Sequence, residues 1–209
     1  MLKILIADDH AVVRKGLKQI LLEEYPSATI GETADAEGLI TEVINNGWNI
    51  VICDMNMPGR SGLDALNQLK QVAPEIPVLI MSMYPEDQYA LRVLKAGAAG
   101  YLEKESVHEN IVKAIQTVQL GKKFITPSVA EKLANAFNDN STKQPHELLS
   151  DREFDVFKLL ASGKSVSEIA AQLSLSTTTV STYRARILEK MGIRSNAELT
   201  RYALEKKLI

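Results

Sequence analysis

Two aspartates, Asp8 and Asp9, directly follow the apolar run Lys3–Ala7, and a third, Asp54, follows Ile50-Val51-Ile52-Cys53. Ser82 ends the stretch that starts Pro77-Val78-Leu79-Ile80-Met81, and Lys104 follows Gly100-Tyr101-Leu102-Glu103. If these runs are strands of one parallel sheet, three carboxylates converge at one edge. They repel one another unless a cation neutralises them, and hard oxygen ligands with room for water favour Mg²⁺. A carboxylate nucleophile, a divalent cation, a hydroxyl and an ammonium are together what phosphoryl transfer to an aspartate requires: alignment, charge neutralisation and donors to the phosphoryl oxygens. Taken singly, each residue has a plainer explanation. A strand-end Asp starts a turn or caps a helix, and a lone Ser or Lys is a solvated side chain. The coincidence at several strand ends carries the inference.

The elements that must position these residues are legible as alternating short β-type runs and longer helical patterns, the mark of βαβ units around a parallel sheet. The runs are Lys3–Ala7, Thr29–Thr33, Ile50–Cys53, Val78–Ser82 and Gly100–Leu102. Helical spacing lies between them, as in Val12, Leu17, Ile20 and Leu21, or Leu63, Leu66 and Leu69. About five strands and five helices fit. Right-handed crossovers cover both sheet faces and leave the carboxyl ends of the strands opening into a crevice.

The last αβ unit ends near Gly121, and Thr126-Pro127-Ser128 then predicts a helix through Val129, Leu133, Ala134 and Phe137. The polar tract Asn138–Pro145 follows it and reads as a linker. The expected division is therefore 1–122, a linker with a helix over 123–146, and 147–209. Residues 1–146 carry 14 Lys and Arg against 18 Asp and Glu, whereas 147–209 carry 10 against 8. A mildly basic second part is compatible with a polyanionic partner and is weak evidence for one.

Composition narrows the classes further. A chain of 209 residues with 45% apolar and 24% charged residues has material for one or two cores and lacks the signature of disorder. No run approaches the roughly 18 apolar residues of a membrane span, and Asp8 interrupts any leader-like start, so a cytoplasmic protein is expected. The single cysteine, Cys53, makes no intramolecular disulfide, and the three histidines, His10, His108 and His146, stand too far apart in sequence for zinc spacing.

Residues 147–209 predict about four helices and no strand. Ser150 with Glu153 forms a capping box, Gly163 stops that helix, Ser165 or Ser167 opens a short one, and a longer helix runs from about Thr177 to Met191, closed by Gly192. This is helix-turn-helix spacing, with a final helix from Ser195-Asn196. On a helical wheel Val180, Ile187 and Met191 face inward, opposite Thr178, Ser181, Thr182, Ala185 and Arg186. Short side chains let such a helix approach the floor of the DNA major groove, and Arg186 suits guanine or a phosphate. A merely solvated face is the alternative.

The first part resembles the receiver domain of bacterial two-component response regulators. The matching text is Ile6-Ala7-Asp8-Asp9-His10, Asp54-Met55-Asn56-Met57-Pro58-Gly59 with Gly62, then Ser82, then Ala96–Lys104. The resemblance implies a flavodoxin-like fold with Asp54 as phosphoacceptor. Mg²⁺ (or Mn²⁺) would be held by Asp8, Asp9, Asp54 and the backbone carbonyl of Asn56. Ser82 and Lys104 would bind the phosphoryl oxygens, with Tyr101 as the rotamer partner of Ser82 in a switch; otherwise Tyr101 is an edge residue with its hydroxyl in water. Glu105 stands where many receivers have proline.

The second part resembles the luxR-type helix-turn-helix domain of the NarL/FixJ subfamily. Here the text is Leu149–Glu153, Leu160–Gly163, Glu168-Ile169-Ala170, Leu173, Thr179-Val180-Ser181 and Glu189–Gly192. Many members carry lysine where this chain has Ser181. The implied protein is a doubly wound five-stranded α/β receiver followed by an all-α four-helix DNA-binding domain. Its partners would be a sensor histidine kinase, promoter DNA and, on activation, a second copy, with no membrane. The DNA set would be Thr178, Ser181, Thr182, Ala185, Arg186 and Lys190; Arg184 would make an intramolecular pair or a flanking phosphate contact, and Ala197, Tyr202 and Leu208 mark a dimer contact. Such a protein catalyses only its own phosphoryl acceptance and slow dephosphorylation. An aspartate-nucleophile phosphatase is disfavoured because Asn56 stands where a second Asp would serve as acid and base. A receiver that works without phosphorylation is disfavoured by the complete set of Asp8, Asp9, Asp54, Ser82 and Lys104.

Overall fold

The computed structural model describes residues 1–57, 60–138 and 144–209, so Pro58-Gly59 and the centre of the expected linker, 139–143, lie outside the described residues. The chain forms two compact units, Met1–Asn138 and Asp139–Ile209.

In the first unit five strands, β1 (Lys3–Ala7), β2 (Thr29–Thr33), β3 (Ile50–Asp54), β4 (Val78–Ser82) and β5 (Gly100–Glu103), alternate with α1 (Ala11–Glu24), α2 (Ala36–Asn45), α3 (Gly62–Val72), α4 (Glu86–Lys95) and α5 (Val107–Gln119). The sheet is wholly parallel in the order β2-β1-β3-β4-β5. This doubly wound order places its ligand crevice beyond the carboxyl ends of the strands, beside the switch between β1 and β3. The central strands β3 and β4 are buried throughout, as expected of strands covered on both faces. One face packs Ile4, Ile6, Ile50, Ile52, Leu79 and Met81 against Leu17 and Leu21 of α1 and Ile111, Ile115 and Val118 of α5. The alternate residues Leu5, Val51, Cys53 and Ile80 are equally buried on the other face.

The helix predicted after Gly121 exists as α6 (Pro127–Asn138), and it belongs to the first unit. Phe124 bridges to Gly100 of β5 and its N–H donates to the Ala99 carbonyl at 2.7 Å. Thr126 Oγ1 donates to Glu86 Oε2 at 2.8 Å, Lys132 Nζ donates to the Asp87 carbonyl at 3.0 Å, and Val129 is buried. These contacts fasten 123–132 to α4 and β5.

The second unit holds α7 (Asp151–Ala161), α8 (Val166–Gln172), α9 (Thr177–Met191) and α10 (Asn196–Glu205), preceded by a single 3₁₀ turn, Pro145–Leu148. Serines start all four helices: Ser150, Ser165, Ser176 and Ser195 each accept from the backbone N–H three residues on. Ser150–Glu153 and Ser165–Glu168 are full capping boxes. Gly192, at φ +65°, closes α9 in the left-handed conformation that an L side chain resists. The core gathers Phe154, Phe157, Leu160, Ile169, Val180, Ile187, Leu199 and Ala203.

Candidate functional site

Two adjoining carboxylates, Asp8 and Asp54, end up buried at neighbouring strand ends, Asp8 wholly and Asp54 to within 1% exposure. Lys104, just past β5, reaches both: its Nζ is 2.8 Å from Asp8 Oδ2 and 3.0 Å from Asp54 Oδ2. Beyond this ammonium neither oxygen has a hydrogen-bond donor among the described residues. One positive charge thus serves two buried negative ones, with Asp9 beside them. Burial pushes the Asp54 carboxyl up to about 6, a rise that Lys104 opposes and Asp8 reinforces, so the group is ionised at neutral pH. For Lys104, burial alone would lower the pKa, but the bonds to Asp8 and Asp54 outweigh it and the net shift is upward.

Local backbone geometry holds these groups in place. The Arg14 guanidinium of α1 donates to the Asp8 carbonyl at 2.6 Å and lies near Glu32, pinning the β1–α1 turn. After β3, Gly62 N–H donates to the Met55 carbonyl at 2.9 Å, and a Cβ at Gly62 would stand 2.1 Å from the Asp54 carbonyl oxygen. Only glycine permits that approach, which explains the Gly62 of the sequence pattern. Ser61 caps α3 in a box with Asp64 and fixes the loop's far end.

Ser82 lies at the end of β4, fully buried, and its Oγ accepts from the Tyr84 N–H at 3.1 Å. Tyr101 is buried, and its hydroxyl donates to the Tyr84 carbonyl at 2.7 Å while also meeting Ser82. The alternative of an edge tyrosine with its hydroxyl in water is therefore not what the fold adopts. Burial raises the Tyr101 phenol well above its ordinary pKa, and it stays protonated.

The acidic cluster fits a divalent cation. Asp8, Asp9, His10 and Asp54 each place a ligand atom within 4.8 Å of the others, and one oxygen of each buried carboxylate, Asp8 Oδ2 and Asp54 Oδ2, meets no donor beyond the Lys104 ammonium among the described residues. His10 went unremarked as a contact in the sequence; its position next to Asp9 was the available signal.

On α9, Val180, Ile187 and Met191 are buried and Thr178, Ser181, Thr182, Ala185 and Arg186 are exposed, as the helical wheel predicts, and Lys190 is exposed as well. Lys190 departs from the rest: its ammonium sits on the buried Glu153 Oε2 at 2.6 Å. Arg184 donates to Asn196 Oδ1 at 2.8 Å, tying α9 to α10. Among the residues expected at a dimer contact, Ala197 is exposed, Leu208 is buried, and the Tyr202 hydroxyl is bonded to His146 Nδ1 at 2.8 Å. Among the described residues no helix is long and apolar enough to cross a membrane.

Comparison with known proteins agrees with both halves. The response regulator receiver domain family matches residues 4–116, and the luxR family of bacterial regulatory proteins matches 147–203. The oxygen regulatory protein NreC of Staphylococcus carnosus is 36% identical over all of this chain and 99% of its own length. Among solved structures, RcsB from Salmonella enterica serovar Typhimurium, bound to promoter rprA with the phosphomimetic BeF3-, is 25% identical with a TM-score of 0.65, covering 97% of this chain and 98% of that one. A structure of two RcsB dimers bound to two parallel DNAs is 27% identical with a TM-score of 0.60, covering 96% and 97%. This chain belongs to the NarL/FixJ subfamily of two-component response regulators, transcription regulators in which phosphorylation of a receiver domain controls a luxR-type DNA-binding domain.

Proposed function

We propose that Asp54 is the phosphoacceptor and that the α9 face reads promoter DNA. The observation that carries this is Lys104 bridging Asp8 and Asp54 at the mouth of the crevice. A carboxylate oxygen of Asp54 attacks the phosphorus of a phosphohistidine on a sensor kinase. The new O–P bond forms as the N–P bond breaks, and the departing imidazole takes up a proton. Lys104 and Ser82 donate to the phosphoryl oxygens, and Ser82 draws Tyr101 and Tyr84 with it, since all three are already linked. Asp8, Asp9, Asp54 and the Asn56 backbone carbonyl would hold Mg²⁺ (or Mn²⁺), which when bound neutralises charge on the transferring group. Water attack on the acyl phosphate returns the resting state slowly, the only other reaction in this reading.

In the second unit, Thr178, Ser181, Thr182, Ala185 and Arg186 enter the major groove, and Lys190 supports Glu153 from the flank. Phosphorylation brings two copies together on DNA, a reading supported by the RcsB dimers solved on duplexes. The test is selection from random duplexes followed by fluorescence anisotropy at one stated salt concentration. Acetyl phosphate with Mg²⁺ should tighten binding of the wild type to the selected sequence by about tenfold and leave Asp54→Asn unchanged. Equal tightening of both would contradict the assignment.

A further inference from the structure

His10 stands inside the acidic crevice without a part in the reaction just described. Its Nδ1 lies 2.7 Å from Asp9 Oδ1 and 3.2 Å from Asp8 Oδ1, and its backbone N–H donates to Asp8 Oδ1 at 2.8 Å. The residue occupies the N-cap position of α1, yet its side chain makes no capping hydrogen bond. The ring is 66% exposed, so packing does not hold it there. What places it is the carboxylates, and its ligand-capable nitrogen shares the 4.8 Å cluster with Asp8, Asp9 and Asp54. Two of those carboxylates are buried with an oxygen that only Lys104 meets, which marks the cluster as short of positive charge.

We propose that His10 is a nitrogen ligand of the crevice's divalent cation and tilts the site from Mg²⁺ toward Mn²⁺. The inference rests on the cation-site reading given above and adds the identity of a fourth side chain and its consequence for selectivity. Mg²⁺ keeps oxygen ligands and gives up water reluctantly, whereas a neutral imidazole suits first-row transition metals. The separation of 2.7 Å between Nδ1 and Asp9 Oδ1 is close to the spacing of about 3 Å between adjacent ligands of an octahedral ion with bonds near 2.1 Å. The close contact between the two atoms would give way to shared bonds to the ion. Among the described residues, the Lys104 ammonium also contacts these carboxylates, and it has no lone pair to offer.

The experiment is calorimetric titration of the full chain with Mg²⁺ and, separately, Mn²⁺, for the wild type, His10→Gln and Asp9→Asn. Electron spin-echo modulation of bound Mn²⁺ is recorded on the same samples. The wild type should prefer Mn²⁺ and show ¹⁴N modulation from an imidazole. His10→Gln should lose roughly tenfold in Mn²⁺ affinity, change less than about twofold toward Mg²⁺, and lose the modulation. Because the ring is exposed, the variant leaves the core intact. Equal losses for both ions, no loss for either, or absence of nitrogen modulation in the wild type would overturn the role of His10. Wild type that binds neither ion, or Asp9→Asn that binds both as tightly as wild type, would instead overturn the cation site itself.

Discussion

In the crevice of the first unit Asp8, Asp54 and Ser82 are almost wholly buried, whereas on α9 of the second unit Thr178, Ser181, Thr182, Ala185 and Arg186 are all exposed. In the proposed function the difference follows from what each site would meet. Phosphoryl transfer uses a nucleophile fixed among charges in a poorly solvated place, where each electrostatic contact is strong and each unpaired charge is costly. Its residues therefore come from several strand ends and depend on one another through Lys104. DNA is a large polyanion that must be approached from outside, so a helix face of short polar side chains suffices, provided its opposite face is anchored. Val180, Ile187 and Met191 provide that anchor. On this reading the crevice should tolerate small changes in backbone position less well than the α9 face does.

The sharpest way to break this comparison is Gly62→Ala. The added Cβ would meet the backbone of Asp54 at 2.1 Å, and no flexible side chain is there to yield. The first unit should lose about 3 kcal/mol or more, read by hydrogen exchange of β1–β5 amides, and phosphoryl acceptance should fall with it. Protection of α7–α10 should be unchanged; an equal loss there would show that the two sites are not built independently.

Arg186→Ala probes the exposed side. Loss of one base or phosphate contact should cost about 1–3 kcal/mol of DNA affinity at fixed salt, measured by anisotropy, with stability altered by less than about 0.5 kcal/mol and phosphorylation intact. A large stability loss would mean that this face is structural.

Glu153→Gln gives the smallest effect and tests the anchoring. Burial alone would raise the Glu153 pKa, but Lys190 and the Ser150 cap outweigh it and hold the carboxyl below its ordinary value. A depressed folded-state pKa contributes stability above the unfolded value of 4.5, and that contribution is lost as pH falls through the folded-state value. With Lys190 40% exposed, solvent screening limits the pair, and the variant should cost about 1 kcal/mol at pH 7. The difference between variant and wild type, followed by exchange of α7 amides, should vanish at pH values well below 4.5.

Much of this architecture is readable from the chain. Lys3–Ala7, Thr29–Thr33 and Val78–Ser82 form strands with the expected bounds, and Ser150, Ser165 and Gly192 sit where the helices start or stop. Periodicity and capping are local properties, and local sequence carries them. Partners across the fold are another matter. An amphipathic pattern over 127–138 announces a helix but not that Thr126 and Lys132 fasten it to α4. Lys190 reads as a basic residue on the DNA side until Glu153 is found beneath it. The strand-end positions of Asp8, Asp54 and Lys104 are legible, but that one ammonium spans both carboxylates follows from three-dimensional register alone.

The central claim is that Asp54 takes the phosphoryl group, and intact-protein mass tests it most directly. After incubation with Mg²⁺ and acetyl phosphate, wild type should gain the mass of one phosphoryl group and Asp54→Asn none. Labelling of Asp54→Asn to the same extent, or failure of the wild type to label with either acetyl phosphate or a phosphorylated histidine kinase, would contradict it.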